Sequence, residues 1–193
     1  MARPRTISDD DILDAAGILL RRGGAAALTF AAVSAASGLA PATLVQRYGD
    51  RERLLQAALL RLWDQLDART QAADAQHDID PSGSITLLVA LSASPDGAPG
   101  EAAEGLVLLQ ENFRDQVLRA RGVAWGEVLA AALGRRLTPV RAAQTTLGRL
   151  MASQWQGAML WWAFSRNGSL GAHLTRELRE WCAVVLPDGQ LPR

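Results

Sequence analysis

Pro41, Ala42, Thr43, Gln46 and Arg47 stand close together in one short stretch, and Arg51 follows four residues later. Their side chains are equipped for recognition. A glutamine amide presents a donor beside an acceptor, the pattern that pairs with the edge of adenine in a major groove. Proline and alanine suit the thymine methyl group. An arginine fork fits a phosphate or a guanine edge. Parts for covalent or acid–base chemistry are lacking by comparison. His77 and His173 are the two histidines, and neither has a spaced Ser or Cys nucleophile beside it. Cys182 lies in an apolar helical pattern and reads as buried filler. The sequence has no Gly-rich phosphate loop, no GxSxG elbow and no His/Cys cluster at metal-ligand spacing.

The stretch from Thr29 to Leu55 must position these residues. Thr29 can cap a short helix, FAAVSAAS, with Val33 as its buried residue and the small Ser34 beside it. Gly38 sits where the chain reverses, a place that favours a left-handed backbone. Leu39 fills the corner. Pro41 then opens a second helix, where a missing N–H costs nothing. Leu44 and Tyr48, four apart, share its inner face. That leaves Pro41, Ala42, Thr43, Gln46 and Arg47 on the open side. The arrangement is a helix-turn-helix whose second helix carries a short polar face with a positive end, and a major groove admits one such helix.

This stretch resembles the amino-terminal pattern of the TetR family of transcriptional regulators over about residues 8 to 60. The matching positions are Val33, Ser34, Ser37, Gly38, Leu39, Thr43, Leu44, Arg47, Tyr48, Arg51 and Leu54. Val45 stands where the family has a tyrosine, Ala40 where it has a capping serine, Arg47 for its histidine and Arg51 for its lysine. Loss of the serine weakens that cap by about 1 kcal/mol. The resemblance implies DNA binding through Thr29, Pro41, Ala42, Thr43, Gln46, Arg47, Tyr48 and Arg51. It also implies an all-α fold of about nine helices: a three-helix head, residues 1–55, and a helical ligand-sensing and dimerisation domain, residues 56–193.

Length and composition agree with that size of protein. The chain has 193 residues, 49% of them hydrophobic, enough to bury a core. Its formal net charge is zero, and residues 1–70 carry nine Arg against eight Asp and Glu, a balance of +1. Any attraction to DNA must therefore be arranged locally. All 20 basic residues are Arg. One cysteine cannot form an intrachain disulfide. With no secretion signal and no apolar run of about 20 residues, the expected compartment is the cytoplasm.

Around the reader, Arg3 and Arg5 flank a proline in an amino-terminal arm that could reach phosphates. Ser8 to Arg22 reads as a helix, capped by Ser8, favoured by Asp9, Asp10 and Asp11 at its positive end, and stopped by Gly23 and Gly24. Asp50 can cap a fourth helix running from Arg51 to about Ala75, whose stripe includes Leu54, Leu55, Ala58, Leu59, Leu62, Trp63 and Leu66. Such a helix covers about 35 Å and would link the head to the rest. The remainder reads as helices over 82–93, 101–121, 123–137, 139–164 and 169–186, with a loop at 94–100 and a stop at Pro187 and Gly189.

Six tryptophans are many for this length. Trp63, Leu66, Gln110, Phe113, Trp125, Trp155, Met159 and Trp162 are the candidate lining of a pocket for an apolar or aromatic effector, or else packed core. Leu170, Leu174, Leu178, Trp181 and Val185 form a stripe on the last helix, expected at the interface of a homodimer that would read a palindromic operator as a repressor. No cofactor, metal or catalytic residue is expected. The competing readings are a DNA-binding or architectural protein without a small-molecule site and, more remotely, an enzyme.

Overall fold

The computed structural model describes residues 7–93 and 109–186, and every regular element among them is a helix. In chain order these are α1 (Asp9–Ala27), α2 (Phe30–Ser37), α3 (Pro41–Tyr48), α4 (Arg51–Gln76), α5 (Pro81–Ser92), α6 (Gln116–Leu137), α7 (Arg141–Ser165) and α8 (Leu170–Val185). Residues 109–114 are also helical. The Arg3–Arg5 arm, the expected loop at 94–100, the first part of the expected helix 101–121, and the stop at Pro187 and Gly189 lie outside the described residues.

Two compact units divide the chain. The first contains the described residues 7–65 and 109–121, the second 66–93 and 122–186. In the first unit, Ser8 and Asp11 form a reciprocal capping box at the start of α1. The Gly23–Gly24 pair interrupts α1, with Gly24 at φ 62°, and one further turn carries the chain to Ala27. Ile12, Ala16 and Leu20 of α1, Val33 of α2, Leu44 of α3, and Leu54, Ala58 and Leu59 of α4 are buried in one cluster together with Leu118. Arg61 of α4 grips Asp14 of α1 with two hydrogen bonds, at 2.7 and 3.2 Å, and reaches Asp10 at 3.0 Å.

In the second unit, α8 packs against α7 and α5. Asp80 caps α5 by accepting from Gly83 N at 2.7 Å, and Ser169 caps α8 by accepting from Ala172 N at 3.2 Å. Helices α6 and α7 cross at backbone contact: a Cβ on Gly148 would lie 1.9 Å from Ala130 O, and one on Gly134 2.1 Å from Gln144 O. Glycine is needed at both for space. Among the described residues no helix is long and apolar enough to cross a membrane.

The structure corrects one expected boundary. A break between helices was expected at Gly122, with segments 101–121 and 123–137. The chain instead breaks at Asp115, and α6 runs unbroken through Gly122. Asp115 Oδ1 accepts from Val117 N at 2.8 Å and Leu118 N at 3.0 Å, which is a helix cap. Gln56 Nε2 donates to Asp115 Oδ2 at 2.7 Å. An isolated glycine inside a helix costs about 1 kcal/mol, too little to end one that tertiary packing supports.

Candidate nucleic-acid interface

The head builds its turn as the residue types require. Thr29 Oγ1 accepts from Ala32 N at 3.0 Å and starts α2. Gly38 ends it at φ 76°, where a side chain would be strained. Ser34 Oγ donates to Leu39 O at 2.6 Å and holds the corner closed. Ala40 supplies no side-chain cap, and Pro41 begins α3. Leu44 is fully buried and Tyr48 half-buried, so α3 is anchored along one side. Pro41, Ala42, Gln46 and Arg47 are exposed and Thr43 is half-buried. Val45, where the family has tyrosine, is 45% exposed on this open side.

The cations beside α3 differ in engagement. Arg47 Nη1 donates to Asp9 Oδ1 at 2.9 Å and to Ile7 O at 3.2 Å. Tyr48 Oη donates to the same Asp9 oxygen at 3.4 Å. Burial, reinforced by the Asp9 charge, pushes the Tyr48 phenol up to about 12, so it stays a neutral donor. Arg51 is turned inward: Nε donates to Leu28 O at 2.9 Å, and Nη2 donates to Ala25 O. It closes the end of α1 that the glycine break leaves open. Asp50 caps α4 through Arg53 N at 2.8 Å. The role of Asp9 was not legible in the sequence, because its pairing with α3 is made by the packing of α1.

The residues proposed for a pocket divide between the units. In the first, Trp63 Nε1 donates to Asn112 Oδ1 at 2.8 Å, Gln110 is exposed, and Phe113 is 66% exposed. In the second, Trp125 and Trp155 are buried with ring centroids 6.4 Å apart. Trp125 Nε1 donates to Thr70 Oγ1 at 3.0 Å, and that hydroxyl donates to Leu66 O at 2.7 Å. Trp155 Nε1 donates to Ser92 Oγ at 2.7 Å, with Met159 Sδ 3.8 Å from the same hydroxyl. Trp162 Nε1 donates to Gly168 O at 3.3 Å. Thr70, Ser92 and Asn112 were missed at the level of sequence; a small polar residue in an apolar stripe, one for each indole, is the signal that could have found them.

Two residues of the stripe expected between subunits are already covered. Leu174 and Leu178 are fully buried within the one chain. Surface already removed from water offers nothing to a second copy. Leu170 and Trp181 are half-buried, and Val185 is 37% exposed. The large apolar residues left in water on these two helices are Leu150, Leu160, Trp161 and Phe164 on α7 and Val184 and Val185 on α8.

Cys182 is fully buried, and burial pushes its thiol up to about 11, so the thiolate nucleophile is scarce at neutral pH. Among the described residues no group of three His, Cys, Asp or Glu is placed to hold a metal ion.

Residues 12–58 match the family model described as bacterial regulatory proteins, tetR family. No curated protein matches the chain in sequence. The fold is shared with solved structures. A transcriptional regulator from Saccharomonospora viridis, in complex with choline, superimposes with a TM-score of 0.70 at 16% identity, over 91% of this chain and 95% of that one. A TetR transcriptional regulator from Legionella pneumophila gives 0.67 at 12% identity, over 96% and 100%. A protein from Rhodococcus sp., described as a TetR-family transcriptional regulator, gives 0.66 at 18% identity, over 92% and 97%. Residues 12–58 thus match the amino-terminal domain of the tetR family, and the all-helical fold of the chain is the one these solved structures share.

Proposed function

We propose that this regulator reads a palindromic operator as a homodimer and is released from it by a small effector. The observation that carries the DNA reading is the division of α3: Leu44 is fully buried while Pro41, Ala42, Gln46 and Arg47 face water. Pro41, Ala42 and Gln46 are assigned to base edges. Thr29, Thr43, Arg47, Tyr48 and Arg51 are assigned to the phosphates or to their positioning, Arg51 by fixing the end of α1. Residues 1–55 are the proposed DNA-binding module, 56–193 the sensing and dimerisation domain, and α4 the helix they share. The proposed compartment is the cytoplasm.

Arg47→Ala tests this directly. Anisotropy titration with the duplex upstream of the protein's own gene should show weaker binding and a salt slope shallower by about one unit. Unchanged affinity and slope would remove Arg47 from the site.

For the dimer, the support is the exposed apolar set on α7 and α8, since Trp161 and Phe164 are 69% and 75% exposed with ring centroids 5.8 Å apart. For the effector, the support is the choline complex of a protein with this fold. The part of the candidate lining that lies together is Trp125, Trp155 and Met159, with Leu66 joined through Thr70; an aromatic or apolar cation would suit these rings. An effector acts only through a difference in affinity between the DNA-fitting and released forms. A second reading, a regulator without a small-molecule site, is favoured by the closed state of the indole pair: Trp125 and Trp155 are only 6% and 5% exposed. Tryptophan fluorescence titrated with choline and with aromatic amines separates the two. Quenching accompanied by loss of DNA binding supports sensing; quenching with no change in DNA affinity does not.

A further inference from the structure

Arg47 ends the face assigned to DNA, and it already has an anionic partner. Its Nη1 lies 2.9 Å from Asp9 Oδ1, in the first turn of α1. The neighbouring acids point elsewhere. Asp10 pairs with Arg61 at 3.0 Å, Asp11 closes the capping box on Ser8, and Asp14 takes Arg61 through two hydrogen bonds. Asp9 is thus the member of the acidic run that meets the reader helix. Its carboxylate is 67% exposed and Arg47 31%, so the pair stands at the surface.

A carboxylate in this place has the attributes of a phosphate oxygen: it is acceptor-only, negatively charged and within charge-assisted hydrogen-bond distance of a guanidinium. We propose that Asp9 is an intramolecular competitor for the DNA phosphate at Arg47, so that the reader helix meets any duplex with its terminal cation partly neutralised. This rests on the reading of α3 as the DNA face. Binding then exchanges one carboxylate for one phosphate at Arg47. An exposed ion pair is weak enough for that exchange. A cation already paired neutralises less of the duplex charge and releases fewer of its counterions. Sequence-independent binding suffers most, because it has no base contacts to offset the exchange. A head with a charge balance near zero is thereby kept off random DNA.

The test uses the full chain and a labelled random-sequence duplex, with anisotropy read between about 50 and about 200 mM NaCl. The variants are Asp9→Asn, Asp10→Asn, Arg47→Ala and the Asp9→Asn/Arg47→Ala pair. Asp10→Asn makes the same charge change in the same helical turn without touching Arg47. The expected result is binding tighter by about three- to fivefold for Asp9→Asn, with a slope steeper by a fraction of a unit. Asp10→Asn should gain less, and in the Arg47→Ala background Asp9→Asn should gain no more than Asp10→Asn does. Equal gains from Asp9→Asn and Asp10→Asn overturn the proposal, since net charge alone would then explain them. Weaker binding by Asp9→Asn also overturns it and makes Asp9 a positioning residue. Loss of binding in Arg47→Ala with no gain in Asp9→Asn removes the competitor and leaves the DNA reading standing; equal binding by wild type and Arg47→Ala removes both.

Discussion

The guanidinium of Arg136 is wholly buried, and its Nη1 donates to Asp74 Oδ1 at 2.5 Å while Nη2 donates to the carbonyl of the same residue at 2.8 Å. Further bonds reach His77 O and Asp78 O, both at 2.9 Å, and Ala132 O at 2.8 Å. One arginine of α6 therefore satisfies carbonyls left unpaired at the end of α4, besides carrying an ion pair. Arg135 also pairs with Asp74.

Arg136→Met should destabilise the protein by about 3 kcal/mol, because it removes one of the two arginine partners of the Asp74 carboxylate and strands the terminal carbonyls. Arg136→Lys should recover little, since a point charge cannot replace a fork with donors in several directions. Urea unfolding of the three proteins checks this, the midpoint falling in both variants.

Glycine substitutions should split by location. Gly148→Ala drives a methyl group to 1.9 Å from Ala130 O, so α6 and α7 must separate, at a cost of about 2 kcal/mol or more. Gly157→Ala, in the same helix with nothing within 4 Å, should stabilise by up to about 1 kcal/mol through helix propensity. Thermal melts followed by circular dichroism should move in opposite directions.

Stability should fall at acid pH for a stated reason. Burial pushes the Asp74 carboxyl up, but hydrogen bonds from Arg136 and Arg135 outweigh it and hold the group below the usual range. Asp115 is held below that range by the backbone N–H of Leu118 and by the Gln56 amide. Folded values below the unfolded value of about 3.9 mean stabilisation that is complete above it and lost as pH falls through the folded values. The urea midpoint of wild type should drop between about pH 4 and about pH 2, and Asp115→Asn should show a shallower drop.

Ser92→Ala removes the acceptor of the buried Trp155 N–H and should cost about 1–2 kcal/mol. In a Trp155→Phe background the same change should be close to neutral. A double-mutant cycle by urea unfolding measures the difference.

The head was legible in the residue order because its determinants are local. A cap at Thr29, a left-handed glycine at Gly38, a proline opening α3 and a four-residue spacing from Leu44 to Tyr48 each act within a turn or two of backbone, and each is found in place. Helix boundaries set by neighbours were less legible: Gly122 looked like a break, whereas Asp115 makes one through its carboxylate and its contact with Gln56. The last helix shows the same limit. Its periodicity named Leu174 and Leu178 as one apolar face, but which partner covers that face is decided by α5 and α7 of the same chain. Hydrophobic spacing records that a side chain leaves water, not against what. The charges that matter most, Asp9 on Arg47 and Asp74 on Arg136, join residues 38 and 62 apart in the chain. Nothing in the order of residues selects those partners from the other arginines, because an ion pair is chosen by which helices the core brings side by side.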